Sequence, residues 1–167
     1  ALNGLDIKVC DIQNAYLTAD CREKIYTIAG PEFGSERGKI MIVKKALYGL
    51  KSSGAAFRTL LAERLYEIGF EPSKADPNVW MRPGVKPDGF DYWEYILVYV
   101  DDVLCVSHDP LKALQALQKF FKFKGDKIEE NKMHLGAEIS RMKGDNGIFL
   151  TMSGEKYVKT AVSNLED

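Results

Sequence analysis

The chain has 167 residues, 46% of them hydrophobic, with 23 Lys and Arg against 24 Asp and Glu for a net charge of −1. That size and apolar content suit one globular domain over residues 1–167 with a real core, and no apolar run approaches a membrane span. Cys10, Cys21 and Cys105 show no CxxC spacing, and no charged-then-apolar leader precedes Asp6, so reduced thiols in an intracellular compartment are expected. The near-neutral total gives no overall basic footprint for nucleic acid. Residues 36–64 nevertheless carry seven basic side chains (Arg37, Lys39, Lys44, Lys45, Lys51, Arg58, Arg64) against Glu36 and Glu63, which fits a local backbone-binding face or an ordinary solvated helix face.

Taken in order, residues 5–11 alternate as a strand ending at Asp11, and a short turn or helix is expected around 13–18. A second strand is predicted near 24–28, a loop over 32–38, and an apolar strand at 40–43. Ser52-Ser53 offers a helix cap, after which Phe57, Leu60, Leu61, Leu65 and Ile68 recur at helical spacing until Gly69. Pro83, Gly84, Pro87 and Gly89 mark residues 82–89 as an exposed connector. Pro110 opens a helix whose buried face is expected to be Leu111, Leu114, Leu117, Phe120 and Phe121. A polar loop over 125–132, strands at 132–141 and 148–152 joined by a turn at 142–147, and a short helix after Ser153 complete the chain.

The chemistry is concentrated in Tyr99-Val100-Asp101-Asp102, flanked by the apolar runs 95–100 and 103–106. Two β-rich runs meeting at Asp-Asp place paired carboxylates at a hairpin tip. Such oxygens are hard ligands suited to Mg²⁺, and two ions held together can activate a hydroxyl and stabilise a leaving oxygen. Asp11, ending its own strand, is the candidate third carboxylate. Asp also tolerates turn dihedrals, so the residues alone fit either a polar turn or a metal site.

Ordered segments carry a resemblance across most of the chain: Asp11-Ile12-Gln13-Asn14-Ala15-Tyr16-Leu17, Arg22-Glu23-Lys24-Ile25-Tyr26, Gly30-Pro31-Glu32-Phe33-Gly34, Lys45-Ala46-Leu47-Tyr48-Gly49-Leu50-Lys51, Leu65-Tyr66-Glu67-Ile68-Gly69-Phe70, Ala75-Asp76-Pro77, Leu97 to Asp102, and Leu135-Gly136-Ala137-Glu138-Ile139. The chain resembles the reverse transcriptase of copia-type LTR retrotransposons. That resemblance implies an α+β fold with a polymerase palm-type antiparallel sheet, helices packed on one face, partial fingers and the start of a thumb. It implies an RNA-dependent DNA polymerase with Asp11, Asp101 and Asp102 as catalytic and metal-binding residues for two Mg²⁺ ions, Mn²⁺ substituting. Nucleotide contacts are implied for Ile12, Tyr16, Tyr48 and Gly49, with Tyr16 under the deoxyribose excluding a 2′-hydroxyl. Primer or template contacts are implied for Tyr99, Lys51, Leu135 and Gly136.

The same resemblance implies a template-primer of RNA or DNA and deoxynucleoside triphosphates as partners, no membrane, and a cytoplasmic virus-like particle or nuclear location. Upstream fingers, most of the thumb and an RNase H domain are expected outside this piece, which alone is expected to be inactive. Where the family commonly continues with Gln-Ala-Pro-Arg-Ala-Trp, this chain has Ser52-Ser53-Gly54-Ala55-Ala56-Phe57. The alternative is a domesticated or decayed element that serves as a nucleic-acid-binding or interaction module without polymerase activity. Without the resemblance, Tyr16 reads as a packed aromatic and Gly136 as equally a bulge glycine.

Overall fold

The structure, a computed structural model, describes residues 4–130, 133–145 and 147–166. In chain order the strands and α-helices are β1 (Asp6–Asp11), α1 (Ala15–Thr18), β2 (Tyr26–Ile28), β3 (Ile40–Ile42), α2 (Ser53–Glu67), β4 (Glu71–Pro72), β5 (Val79–Val85), β6 (Asp91–Tyr99) and β7 (Asp102–Ser107), then α3 (Pro110–Gln118), β8 (Glu129–Glu130), β9 (Met133–His134), β10 (Ala137–Gly144), β11 (Gly147–Ser153) and α4 (Glu155–Glu166). The main sheet runs β4-β5-β6-β7-β1-β8, beside a three-stranded sheet β11-β10-β9 and a two-stranded ribbon β2-β3. Every registered pair is antiparallel, giving a mixed fold of helices and antiparallel sheets.

Register divides the main sheet into two unlike faces, because directly paired residues point the same way. Cys10 pairs with Val103, Ile96 with Cys105 and Trp80 with Ile96. These residues form one buried cluster with Phe57, Leu61 and Leu65 of α2, Ala113, Leu114 and Leu117 of α3, and Phe121 and Phe123. Each of the Leu, Ile, Val and Phe side chains contributes about 1.5–3 kcal/mol of transfer free energy, so α2 and α3 are held to this face. The other face carries Val9 opposite Leu104, Leu97 opposite Leu104, and Asp11 opposite Asp102. Polar chemistry therefore sits on the face that α2 and α3 do not cover.

Several elements differ from the sequence expectations. Ser52 makes no side-chain cap; instead the neighbouring Ser53, buried, donates its hydroxyl to the Leu47 carbonyl at 2.5 Å. Leu111 and Phe120 are 42% and 38% exposed, and Ala113 takes the inward position between them. The helix stops at Gln118, so its periodicity does not extend to the later phenylalanines. Arg82, Pro83 and Gly84 belong to β5, paired with Glu94, Trp93 and Tyr92. Pro83 is tolerated because β4 pairs only with Trp80 and Met81, leaving no partner waiting for the missing N–H. The exposed turn is confined to 86–89, closed by the Gly89 N–H on the Lys86 carbonyl at 2.9 Å.

The expected strand over 132–141 is broken by a turn, and its first residue, Lys132, lies outside the described residues. The expected loop over 125–132 contains β8, whose Glu129 and Glu130 pair with Val9 and Lys8. The turn expected at 142–147 is tighter, because β10 runs on to Gly144 and pairs there with Gly147; Asn146 is outside the described residues. Among the described residues, no helix is long and apolar enough to cross a membrane.

Candidate active site

Tyr99 and Asp102 are the last registered pair of the β6–β7 hairpin, which leaves Val100 and Asp101 as a two-residue turn. Val100 takes φ 56°, a left-handed conformation that a β-branched residue adopts only under tertiary constraint. One such constraint is visible: the Asp101 carbonyl accepts the Ile12 N–H at 2.9 Å, tying the turn to the end of β1. Asp11 lies directly across from Asp102. Three carboxylate-bearing residues from two chain segments thus meet at one corner of the helix-free face.

Their charges oppose one another. Burial, followed by the neighbouring Asp101 and Asp11 carboxylates, raises the Asp102 carboxyl above its ordinary range, while His134 and Lys124 partly offset that rise. Lys124 Nζ lies 3.6 Å from Asp11 Oδ2. Behind the corner, burial pushes the Cys10 thiol well above the usual range, with Cys105, Asp11 and Asp102 adding to the effect. Among the described residues, no group of three or more His, Cys, Asp or Glu side chains is arranged to hold a metal ion. The donor chemistry is right for a hard cation, and the side-chain arrangement is not that of a closed ligand set.

A cavity of about 450 Å³ opens at this corner, lined among others by Asp11, Asp102, Lys124, Lys127, His134 and Gly136. Leu135 and Gly136, which also line it, form the β9–β10 turn with φ 50° and 80°, the two positive values of a type I′ hairpin. Gly136 is therefore a turn glycine and not a bulge. A second cavity of about 220 Å³ at the Val98–Val100 side of the hairpin is lined by Tyr16, Gly54, Phe57, Arg58 and Tyr99.

Tyr16 is half-buried in α1, its ring 4.6 Å from that of Tyr48 and 6.1 Å from that of Phe57. A Cβ at Gly54 would lie 3.7 Å from the Tyr16 hydroxyl, in ordinary contact. Tyr48 is exposed, and Gly49 has φ 93° with open space around it. Gly49 and Lys51 line neither of these two cavities. Ile12 is wholly buried and bridged to Phe123, so only its backbone faces any ligand, and its N–H is already engaged. Of the basic run, Lys39, Lys45 and Arg64 are paired with Glu36, Asp20 and Glu67.

Lys124, Lys127 and His134 were not marked as site residues by the sequence. The available signal was the alternation Phe121-Lys122-Phe123-Lys124, which reads as a strand pointing Phe inward and Lys outward. Helical periodicity through Phe120 and Phe121 masks that alternation.

Comparison with known proteins decides the family. A family model described as reverse transcriptase (RNA-dependent DNA polymerase) matches residues 1–166. This chain belongs to the reverse transcriptase family. It is 31% identical over 141 residues to the retrovirus-related Pol polyprotein from transposon RE1 of Arabidopsis thaliana, covering 81% of this chain and 9% of that polyprotein. It is 28% identical over 164 residues to the transposon Ty1-DR5 Gag-Pol polyprotein of Saccharomyces cerevisiae, covering 97% of this chain and 8% of the relative. These relatives are copia-type retrotransposon polyproteins, and this reverse transcriptase chain spans less than a tenth of their length.

Proposed function

We propose that this chain is the palm-centred part of a copia-type reverse transcriptase, and that its parent polyprotein adds deoxynucleotides to a primer 3′ end under the direction of a template. The observation that carries the reading is the register of Asp11 opposite Asp102, with the Asp101 carbonyl fastened to Ile12, inside a chain that matches the family over 1–166. Asp11 and Asp101 are the oxygen donors for divalent cations, and Asp102 supports them from the hairpin. Bound Mg²⁺, or Mn²⁺ in its place, supplies the positive charge that acidifies a primer hydroxyl and neutralises a triphosphate.

The remaining residues position the substrates. The Tyr16 ring, braced by Tyr48 and Phe57, is the group assigned to discriminate the nucleotide sugar. Gly49, at φ 93° with open space around it, leaves room for a nucleic-acid backbone to approach. The Leu135–Gly136 turn and Tyr99, exposed on the hairpin, take the primer end, while Lys51 serves the template strand.

The test is primer extension by the parent polyprotein with Asp11→Asn. Loss of roughly a hundredfold or more is expected, since several kcal/mol of charge stabilisation are removed. Unchanged extension sinks the assignment.

A further inference from the structure

Asp11 and Lys124 are brought together by the core and not by chance surface contact. Ile12 and Phe123, both wholly buried, form an antiparallel bridge, and the Gln13 N–H donates to the Lys122 carbonyl at 2.9 Å. Flanking positions of an antiparallel bridge oppose each other, which sets Asp11 against Lys124. After Lys124 the chain turns away through Gly125 and Asp126, at φ 66° and 52°, so its side chain remains at the cavity lined by Asp11 and Asp102. Lys124 is itself 75% exposed and reaches Asp11 at 3.6 Å, a charge contact rather than a rigid hydrogen bond. An ammonium held in this way is cheap to displace.

We infer that Lys124 is the site's internal counter-ion, standing against Asp11 when no cation is present and competing with a divalent cation for it. This inference rests on the reading of Asp11 as a cation ligand. It accounts for two observations at once: carboxylates from two segments coexist at one corner, and their side chains are not gathered into a metal-ready group among the described residues. Cation entry then requires the ammonium to swing out into solvent. Lys124 lowers affinity for the cation and lowers the self-repulsion of the cation-free cluster.

The experiment is a calorimetric Mn²⁺ titration of the whole chain and of Lys124→Met, which keeps an aliphatic stem and removes the charge. A single positive charge about 4–5 Å from a divalent ion, screened by water and by salt at physiological ionic strength, changes its dissociation constant by roughly three- to tenfold. Lys124→Met is therefore expected to bind Mn²⁺ about three- to tenfold more tightly, with a lower thermal midpoint in chelator and with the affinity gap narrowing at high salt. Lys124→Arg is expected to behave like the unaltered chain. Lys127→Met, which takes a charge from the wall of the same cavity, is expected to give a smaller gain. Equal or weaker binding by Lys124→Met overturns the inference, as does a gain from Lys127→Met as large as its own. If neither the chain nor Lys124→Met binds Mn²⁺, the cation-site reading itself fails and this inference with it.

Discussion

Replacing Asp102 by Asn is expected to stabilise the cation-free chain. Asp102 faces Asp11 directly across the strands and adjoins Asp101, with Cβ atoms of a cross-strand pair about 4.5–5.5 Å apart. Two unit charges about 5 Å apart repel by roughly 0.8 kcal/mol in water. With two like neighbours and the partial offset of Lys124 and His134, Asp102→Asn should gain about 1 kcal/mol, or roughly 2–4 °C in thermal midpoint for a chain of this size. The sign follows from linkage. A carboxyl raised in the folded state binds protons more tightly there than when unfolded, so its penalty is absent below the unfolded value and complete above the folded one. Scanning calorimetry in chelator should show the gain at pH 7 and its disappearance as the pH falls through the carboxylate range. Excess Mn²⁺ should shrink or reverse it, because the native side chain then gains from the ion. A lower midpoint for Asp102→Asn at pH 7 in chelator would refute the reasoning.

Three further outcomes are expected. In an active parent polyprotein, Tyr16→Val should raise the ratio of ribonucleotide to deoxynucleotide kcat/KM; an unaltered ratio in a destabilised variant leaves Tyr16 as packing against Tyr48 and Phe57 only. Phe123→Ala, at a wholly buried position, should cost about 3–5 kcal/mol in chemical denaturation, and a loss below about 1 kcal/mol would show that the bridge to Ile12 is not core. Burial pushes the Cys105 thiol up to about 12, with Cys10 also raised, so iodoacetamide at pH 8 should label half-exposed Cys21 alone in the native chain. Mass spectrometry showing modified Cys10 or Cys105 before unfolding contradicts that.

Legibility from sequence was uneven for physical reasons. β1, β6 and β7 announce themselves because apolar, β-rich runs end at or flank the carboxylates. The turn, however, falls on Val100–Asp101, one residue before the expected Asp101–Asp102 tip, because Asp102 is held in β7 opposite Tyr99 and Asp11. Helix α2 was readable from Phe57, Leu61 and Leu65 at one-turn spacing, closed by Gly69 at φ 85°. Pro83 misled because local turn propensity says nothing about which neighbour a strand lacks, and that is fixed by the two-residue length of β4. Leu111 and Phe120 misled because helical periodicity fixes a face only once the end of the helix is known. At the proposed site, Asp11, Asp101 and Asp102 are candidates by residue type and resemblance. Lys124 was not, since its role depends on a bridge between positions 12 and 123 that no local pattern encodes.

The central claim is that Asp11 and Asp101 jointly hold two divalent cations at the end of β1 and the β6–β7 turn. Crystals grown with Mn²⁺ and a deoxynucleoside triphosphate, examined by anomalous scattering, test it most directly. Two peaks roughly 3.5–4 Å apart, each within ligand distance of Asp11 and Asp101, are expected. A map with Mn²⁺ bound elsewhere, or with no peak between these carboxylates, would contradict it.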